Sequence, residues 1–141
     1  MKEFGEKIKG VEYFVRPGSY GICLKDECVG VIKSSVFDKY FLIGGGIEKG
    51  ETEIEALRRE AIEEIGFEIE ILEKIGAATD YFYAEFDRKY IAKECNFHRI
   101  ELAEKIETTT AVSRLVWITK DELENMYHKS HQWIAERELK L

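Results

Sequence analysis

Short apolar runs separated by polar turns dominate the first third of the chain. Tyr20–Leu24 and Cys28–Lys33 flank the polar turn Lys25-Asp26-Glu27, and a further apolar run covers Tyr40–Ile43. Runs of this length between turn residues are typical of β-strands. Beyond residue 67, four more segments predict strands: Glu68–Ile75, Asp80–Phe86, Phe97–Ile106 and Val112–Ile118.

The hydrophobic period changes to that of a helix between these two groups of strands. The pattern predicts a helix over Thr52–Ile65, in which Thr52 and Glu55 have the spacing of a capping box. Gly66 follows as a C-terminal stop. The apolar stripe of this helix would consist of Ile54, Leu57, Ala61 and Ile65.

A second helix is predicted at the end of the chain, from Thr119 or Lys120 to Leu139. Strands are in the majority, and helices interrupt them at two points. This order predicts an α/β fold in which a mixed β-sheet lies between helices. A chain of 141 residues fits one domain over residues 1–141.

The charge balance narrows the classes of function. With 21 Lys and Arg against 28 Asp and Glu, the formal net charge is −7. This argues against a nucleic-acid partner, which usually requires a basic patch. A small phosphorylated substrate stays compatible, because divalent cations can lie between an acidic site and a polyanion.

The cysteines and the hydrophobic runs bear on the cellular compartment. The 3 cysteines are an odd number without zinc-type spacing. Cys23 and Cys28 flank a turn and could approach each other across a hairpin, but reduced thiols in a cytoplasmic protein are the simpler interpretation. The charged start of the chain lacks the apolar core of a signal peptide, and we expect no membrane association.

Glycines lie just before the predicted first helix, and glutamates are concentrated within it. Three consecutive glycines, at 44–46, precede it, and its second half carries Glu60, Glu63 and Glu64. Glu60 and Glu64 would lie about 40° apart on one helix face. Helix periodicity alone favours a solvated acidic face, whereas the alternative is a site for a hard cation such as Mg²⁺ or Mn²⁺.

The combined spacing resembles a known family motif. The run begins at Gly45, continues after five residues with Glu51, and after seven more reaches Arg59-Glu60-Ala61-Ile62-Glu63-Glu64-Ile65-Gly66-Phe67. It resembles the complete Nudix box, which asks for Gly, Glu, Arg-Glu, an aliphatic residue, Glu-Glu, Gly and an apolar residue at these intervals. The family often has proline before the glycines, where this chain has Ile43.

The resemblance implies a fold, a reaction and a set of site residues. The fold would be the Nudix-type α/β/α sandwich, and the reaction the metal-dependent hydrolysis of a nucleoside diphosphate linked to another group. Glu60 and Glu64 would be the principal ligands of Mg²⁺ or Mn²⁺, with Glu63 and the carbonyl of Gly44 completing the site. Two further residues would support the glutamates and the loop, namely Arg59 and Glu51.

The general base is left open by the sequence. The resemblance allows either a glutamate of the box or one from a distant loop or strand. Glu63 is the candidate inside the box. The alternatives outside it are Glu101, Glu104 and Glu85, each of which could equally be an ordinary surface glutamate.

The sequence is less informative about which residues contact the substrate. Tyr81 and Tyr83 could stack on a nucleobase, but alternate residues of a strand can also fill a core. The substrate classes that stay open are nucleoside triphosphates, dinucleoside polyphosphates, ADP-ribose and nucleotide sugars. The alternative function is a catalytically silent Nudix domain that binds a nucleotide as a sensor or adaptor. Dimers are common in this family, so a homodimer is also an open prediction.

Overall fold

The computed structural model describes residues 2–107 and 111–140, which form eight strands and three helical segments. The strands are β1 (Lys2–Phe4), β2 (Phe14–Ile22), β3 (Leu24–Lys25), β4 (Cys28–Lys33), β5 (Tyr40–Gly46), β6 (Phe67–Ala84), β7 (Lys89–Lys105) and β8 (Leu115–Thr119). The helical segments are α1 (Glu53–Ile65), a 3-10 helix (Lys120–Asn125) and α2 (Lys129–Leu139).

The strands form one mixed sheet in the order β1-β6-β7-β2-β5-β4-β3, and β8 pairs with β4. β1 runs parallel to β6, and β2 runs parallel to β7. The remaining pairs are antiparallel. The predicted mixed sheet is therefore confirmed.

The helices cover opposite faces of this sheet. Leu57, Ala61 and Ile65 of α1 are buried in one apolar cluster together with residues of β4, β5, β6 and β7. Ile134 and Ala135 of α2 are buried in a second cluster with other residues of the sheet. The two clusters confirm the α/β/α arrangement, and burial of such side chains is the main stabilising term of a fold of this kind.

The first helix begins and ends where its sequence signals predict. The Thr52 side chain accepts a hydrogen bond from the amide of Glu55 at 3.1 Å, and the Glu55 carboxylate accepts one from the amide of Thr52 at 2.9 Å. Gly66 ends the helix in the left-handed conformation, with φ 71°.

Several strand limits differ from the predicted ones. β2 begins at Phe14 and not at Tyr20, β7 begins at Lys89 and not at Phe97, and β8 begins at Leu115 and not at Val112. In α1, Ile54 was predicted in the apolar stripe but is 45% exposed, and Ala56 is buried instead.

Two larger differences concern the connection of elements. The predicted strands Glu68–Ile75 and Asp80–Phe86 are parts of the continuous strand β6, which keeps its pairing with β7 through several register shifts. The predicted closing helix is interrupted between the 3-10 helix and α2, where Met126 is extended. The amide of Tyr127 donates to the carbonyl of Tyr40 at 2.9 Å, so the chain here adds to the sheet instead of continuing a helix.

The cysteines Cys23, Cys28 and Cys95 are free thiols. Within residues 2–107 and 111–140, no helix has the length and apolar character needed to cross a membrane.

A carboxylate of the sheet holds the start of α2. Asp80, buried on β6, accepts hydrogen bonds from the amide and the hydroxyl of Ser130. Next to this contact, Nδ1 of the fully buried His131 accepts a hydrogen bond from the amide of Leu42 at 3.2 Å. Asp80 and His131 thus connect α2 to β6 and to β5.

We expect Asp80→Ala to lower the free energy of unfolding by about 1–3 kcal/mol, because it leaves the buried amide and hydroxyl of Ser130 without an acceptor. Urea denaturation would measure the loss. Asp121→Ala is the control, since it removes an exposed carboxylate from the 3-10 helix, and it should change stability by less than about 0.5 kcal/mol. Equal effects of the two substitutions would contradict the prediction.

Candidate metal centre

Two of the predicted metal ligands on α1, Glu60 and Glu64, face the glycine loop at the end of β5. The carboxylate of Glu64 accepts a hydrogen bond from the amide of Gly44 at 2.9 Å. Gly44 has φ 139°, and a Cβ there would lie 2.1 Å from the carbonyl oxygen of Ser19. Only glycine fits this position, so the close approach between β5 and α1 depends on it.

The neighbouring glycine makes room for a second carboxylate. A Cβ on Gly45 would lie 2.6 Å from Cδ of Glu60 and 2.8 Å from each of its carboxylate oxygens. The Glu60 carboxylate therefore rests directly on the backbone of the loop. Gly46 is different, because a Cβ there would be 4.0 Å from the nearest atom, the carbonyl oxygen of Pro17.

The guanidinium group of Arg59 connects the loop to the helix. It donates two hydrogen bonds to Glu51, of 2.7 and 3.0 Å, in the bidentate geometry that arginine forms with carboxylates. It also donates to Glu60 at 2.9 Å and to Glu63 at 3.3 Å. A further hydrogen bond of 3.0 Å reaches the carbonyl of Gly46. The predicted supporting residues Arg59 and Glu51 therefore contact each other and the glutamates.

The pKa of the supporting carboxylate, Glu51, is shifted in the opposite direction to the pKa values of Glu60 and Glu64. Hydrogen bonds from Arg59 lower the pKa of Glu51 to about 2, and the same donation to Glu51 and Glu60 raises the pKa of Arg59. Burial raises the pKa of Glu64 to about 8, with additional repulsion from Glu60 and Glu63. Burial also raises the pKa of Glu60. For both Glu60 and Glu64, the cost of burying the negative charge thus exceeds the stabilisation that their hydrogen-bond donors provide.

These residues fit a hard divalent cation by their chemistry. They supply carboxylate oxygens, the ligands that Mg²⁺ and Mn²⁺ prefer, and the raised pKa of Glu64 shows a carboxylate that a cation would stabilise. In the part of the chain that the structure describes, no three His, Cys, Asp or Glu side chains already converge as a metal site. Instead, Glu60 and Glu63 accept hydrogen bonds from Arg59, and Glu64 accepts one from Gly44.

The three candidate bases outside α1 lie away from the glutamates of that helix. Glu101 lines a shallow surface cavity with Cys23 and Trp117, and Glu104 is exposed further along β7. Glu85 follows β6 and lines a different cavity. No contact joins any of the three to the α1 glutamates within the described residues. Glu63 is the predicted base that lies in the cluster itself.

Glu85 belongs to an aromatic pocket of about 250 Å³. Its aromatic lining consists of Phe37, Phe41, Phe82, Tyr83, Phe86, Tyr127 and His128. Phe86 is 80% exposed and Phe37 is 41% exposed, so the pocket is open to solvent. Of the two predicted substrate tyrosines, Tyr83 lines this pocket. Tyr81 instead donates a hydrogen bond to Glu3 at 2.7 Å.

Several residues near the site were not predicted as functional. Tyr20 is buried beside Gly44, and Lys93 has its Nζ 5.4 Å from the centroid of the Tyr20 ring. Phe41 and Tyr127 stack at 5.1 Å in the aromatic pocket. These contacts join distant segments of the chain. Lys93 lies between Ala92 and Glu94, outside the strands predicted from the sequence, so no local pattern singled it out.

We expect metal-free Glu64→Gln to be more stable than the wild-type protein, by an amount that grows with pH. Between pH 4.5 and 8 the unfolded chain releases the Glu64 proton, whereas the folded protein retains it. The wild-type protein therefore loses up to about 1.4 kcal/mol per pH unit in this window, a loss that stops above the folded pKa and that glutamine does not have.

Urea denaturation in EDTA at pH 5, 6, 7 and 8 would measure the difference. Glu104→Gln, an exposed carboxylate on β7, is the control and should follow the wild-type curve. A difference between wild type and Glu64→Gln that is the same at every pH would refute the prediction.

We expect Gly45→Ala to weaken Mn²⁺ binding by about 10–100-fold, because the new methyl group displaces the Glu60 carboxylate. The fold should survive, since the obstructing atoms belong to the end of a flexible side chain. Electron paramagnetic resonance titration with Mn²⁺ measures the affinity. Gly46→Ala is the matched control and should bind Mn²⁺ like the wild-type protein; equal losses in both variants would contradict the proposed position of Glu60.

Known structures share this architecture. A NUDIX hydrolase from Nitrosomonas europaea is 14% identical with a TM-score of 0.68, and the match covers 90% of each chain. An ADP-ribose pyrophosphatase from Streptococcus suis is 10% identical with a TM-score of 0.64, over 89% of this chain and 92% of the other. The MutT protein from Bacillus halodurans is 23% identical with a TM-score of 0.61, over 89% of this chain and 83% of the other.

Identities this low establish a common fold and no common substrate. No curated protein sequence matches the chain. The family assignment rests on the model of the NUDIX domain, which matches residues 16–137 and thus most of the chain, including the glycine loop and α1. The chain belongs to the Nudix family of pyrophosphohydrolases.

Proposed function

We propose that this protein hydrolyses the pyrophosphate bond of a nucleotide-like substrate with the help of Mg²⁺ or Mn²⁺. The observation that carries the proposal is that Glu60 and Glu64 lie against the glycine loop beside Glu63, with the pKa of Glu64 raised to about 8 by burial. A cation would relieve this excess of negative charge. Membership of the Nudix family supports the same reaction.

Each residue of the cluster has a role in this proposal. Glu60 and Glu64, with the carbonyl of Gly44, would hold the divalent cation, whose chemistry there would be to neutralise charge on the phosphates and to activate water. Arg59 positions Glu60 and Glu63 through its hydrogen bonds. Glu51 fixes Arg59 and also accepts a hydrogen bond from the amide of Glu48 at 2.8 Å, which holds the loop.

Glu63 is the proposed general base. Its side chain is 54% exposed and accepts one long hydrogen bond from Arg59, so a carboxylate oxygen stays accessible to water. The water oxygen would form a new bond to phosphorus, its proton would pass to Glu63, and the bridging P–O bond would break to release a phosphate-containing product. Glu101, Glu104 and Glu85 are less suitable because no contact joins them to the cluster within the described residues.

The aromatic pocket supports a nucleotide over a simple polyphosphate. Its rings offer flat surfaces on which a nucleobase can stack, and Tyr83 belongs to them. MutT, ADP-ribose pyrophosphatase and UDP-X diphosphatase are the names of structural relatives that differ in substrate. We therefore keep nucleoside triphosphates, dinucleoside polyphosphates, ADP-ribose and nucleotide sugars as the candidate classes.

A catalytically silent domain is the alternative. Such a domain would bind a nucleotide without cleaving it, as a sensor or adaptor. The presence of Glu60, Glu63 and Glu64 together with their partner Arg59 favours the enzyme. The two functions differ in turnover and can be separated by experiment.

The experiment is an assay of the purified protein with Mg²⁺ or Mn²⁺ against one member of each candidate class. We expect metal-dependent release of phosphate-containing products from one class and a loss of at least about 100-fold in Glu64→Gln. Glu63→Gln should lower kcat by about 10²–10⁴-fold if it is the base. Glu101→Gln, Glu104→Gln and Glu85→Gln are the matched controls and should retain wild-type kcat. Tight nucleotide binding without any cleavage would establish the silent domain instead.

A further inference from the structure

Lys93 of β7 has its ammonium group in an unusual place. Its Nζ lies 5.4 Å from the centroid of the Tyr20 ring, on the face of the sheet that α2 covers. Within residues 2–107 and 111–140, this ammonium group makes no hydrogen bond and no ion pair. Burial lowers the pKa of Lys93. The side chain is half-buried, and its Nζ is not among the described polar atoms that are buried without a partner, so the ammonium group stays in contact with solvent.

The carboxylate opposite Lys93 attracts the ammonium group without forming an ion pair with it. Asp80 stands opposite Lys93 in the pairing of β6 with β7. Both of its oxygens accept hydrogen bonds from Ser130, and no ion pair links Asp80 to Lys93. The neighbouring cation Arg16 is engaged by Asp87 at 3.0 Å. Of the two cations Arg16 and Lys93, only Lys93 forms no ion pair within the described residues.

Lys93 is next to the glutamate cluster through Tyr20. A Cβ on Gly44 would lie 2.9 Å from Cδ1 of Tyr20, so the tyrosine ring touches the loop. The amide of the same glycine donates to Glu64. The ring of Tyr20 thus separates the ammonium group of Lys93 from the proposed metal ligands.

The same tyrosine leads to the aromatic pocket on the other side. The ring of Tyr20 lies 4.5 Å from that of His131, which lies 5.0 Å from His128. His128 lines the pocket and lies 5.4 Å from Phe82, another lining residue. Contacts between buried rings thus connect Tyr20, the residue beneath Lys93, to the lining of the aromatic pocket.

We propose that Lys93 binds phosphate oxygens of the substrate and holds the diphosphate between the α1 glutamates and the aromatic pocket. This inference rests on the proposed function. A lysine ammonium is a compact point charge with three donors, which suits a phosphate chain whose orientation changes during the reaction. Lys93 acts here by binding and positioning, and it takes no proton from the water.

The test compares Lys93→Met, which keeps the length of the side chain over Tyr20, with Lys93→Arg, which keeps the charge. Lys89→Met is the matched control, because Lys89 is on the same strand and also lies over an aromatic ring, 4.7 Å from Phe14. Isothermal titration calorimetry would measure the binding of inorganic pyrophosphate and of ADP, with Mg²⁺ and separately in EDTA.

We expect Lys93→Met to weaken binding of both probes by about 10–100-fold, the effect of losing a charged hydrogen bond. Lys93→Arg should retain binding to within about threefold to tenfold, and Lys89→Met should match the wild-type protein. Where a substrate is hydrolysed, Lys93→Met should raise KM more than it lowers kcat. Its melting temperature should stay close to that of the wild type, since the half-buried ammonium group has no ion pair to lose within the described residues.

Other outcomes overturn the inference. Unchanged binding of both probes by Lys93→Met, or no binding of either probe by the wild-type protein, would exclude a phosphate contact at Lys93. A lower melting temperature together with unchanged binding would show that Lys93 stabilises the fold and does not contact phosphate. Loss of ADP binding alone would place Lys93 at the nucleoside.

The inference and the proposed function can fail separately. Hydrolysis that is lost in Glu64→Gln, combined with wild-type probe binding by Lys93→Met, would leave the proposed function intact and overturn the role of Lys93. Conversely, probe binding that depends on Lys93 in a protein that hydrolyses no substrate class would support Lys93 and refute the hydrolase.

Discussion

The candidate site depends on the hydrogen bonds of one guanidinium group. Arg59 contacts Glu51 in the loop, Glu60 and Glu63 on the helix, and the carbonyl of Gly46 at the end of β5. Because these partners belong to three successive segments, one side chain fixes their relative positions. Arginine suits this task because its planar donors point in several directions at once. The loop and α1 therefore present their oxygen atoms as a unit, and the glutamates need not be arranged by substrate binding.

This arrangement conflicts with the stability of the metal-free chain. Arg59 neutralises only part of the charge, and burial raises the pKa of Glu64 to about 8. The desolvated carboxylate opposes folding above its unfolded pKa, and the core around Leu57 and Ala61 must compensate for it. A cation that binds only the folded protein would convert the same repulsion into binding free energy. Sites that are unfavourable in isolation are frequently functional, and this cluster fits that pattern.

The sequence predicted the local part of this site and missed most of the long-range part. Local sequence patterns predicted three features correctly, because each depends only on neighbouring residues. They are the capping box at Thr52, the helix end at Gly66 and the spacing of the glutamates along α1. The parallel pairing of β2 with β7 joins residues more than seventy positions apart, such as Gly18 and Cys95, and no local pattern encodes it. The interruption before α2 was missed because Lys120–Leu139 has helical composition throughout. It exists because Tyr127 donates to the distant Tyr40, a tertiary contact that overrides propensity.

The glycines at 44 and 45 connect the two faces of the sheet in a way that helix periodicity does not reveal. α1 packs on one face, while Tyr20 belongs to the cluster on the face covered by α2. A side chain at position 44 would collide with Ser19 and Tyr20, and one at position 45 would collide with Glu60. Their absence lets carboxylates from one face and the aromatic ring from the other approach the same stretch of backbone. The carboxylates of α1 and the ring of Tyr20 therefore meet at this end of β5, although the apolar stripe of α1 is buried on the opposite face. A substrate that used both the glutamates and Lys93 would have to pass this end of β5, which makes the two glycines a steric requirement of the proposed binding mode as well as of the fold.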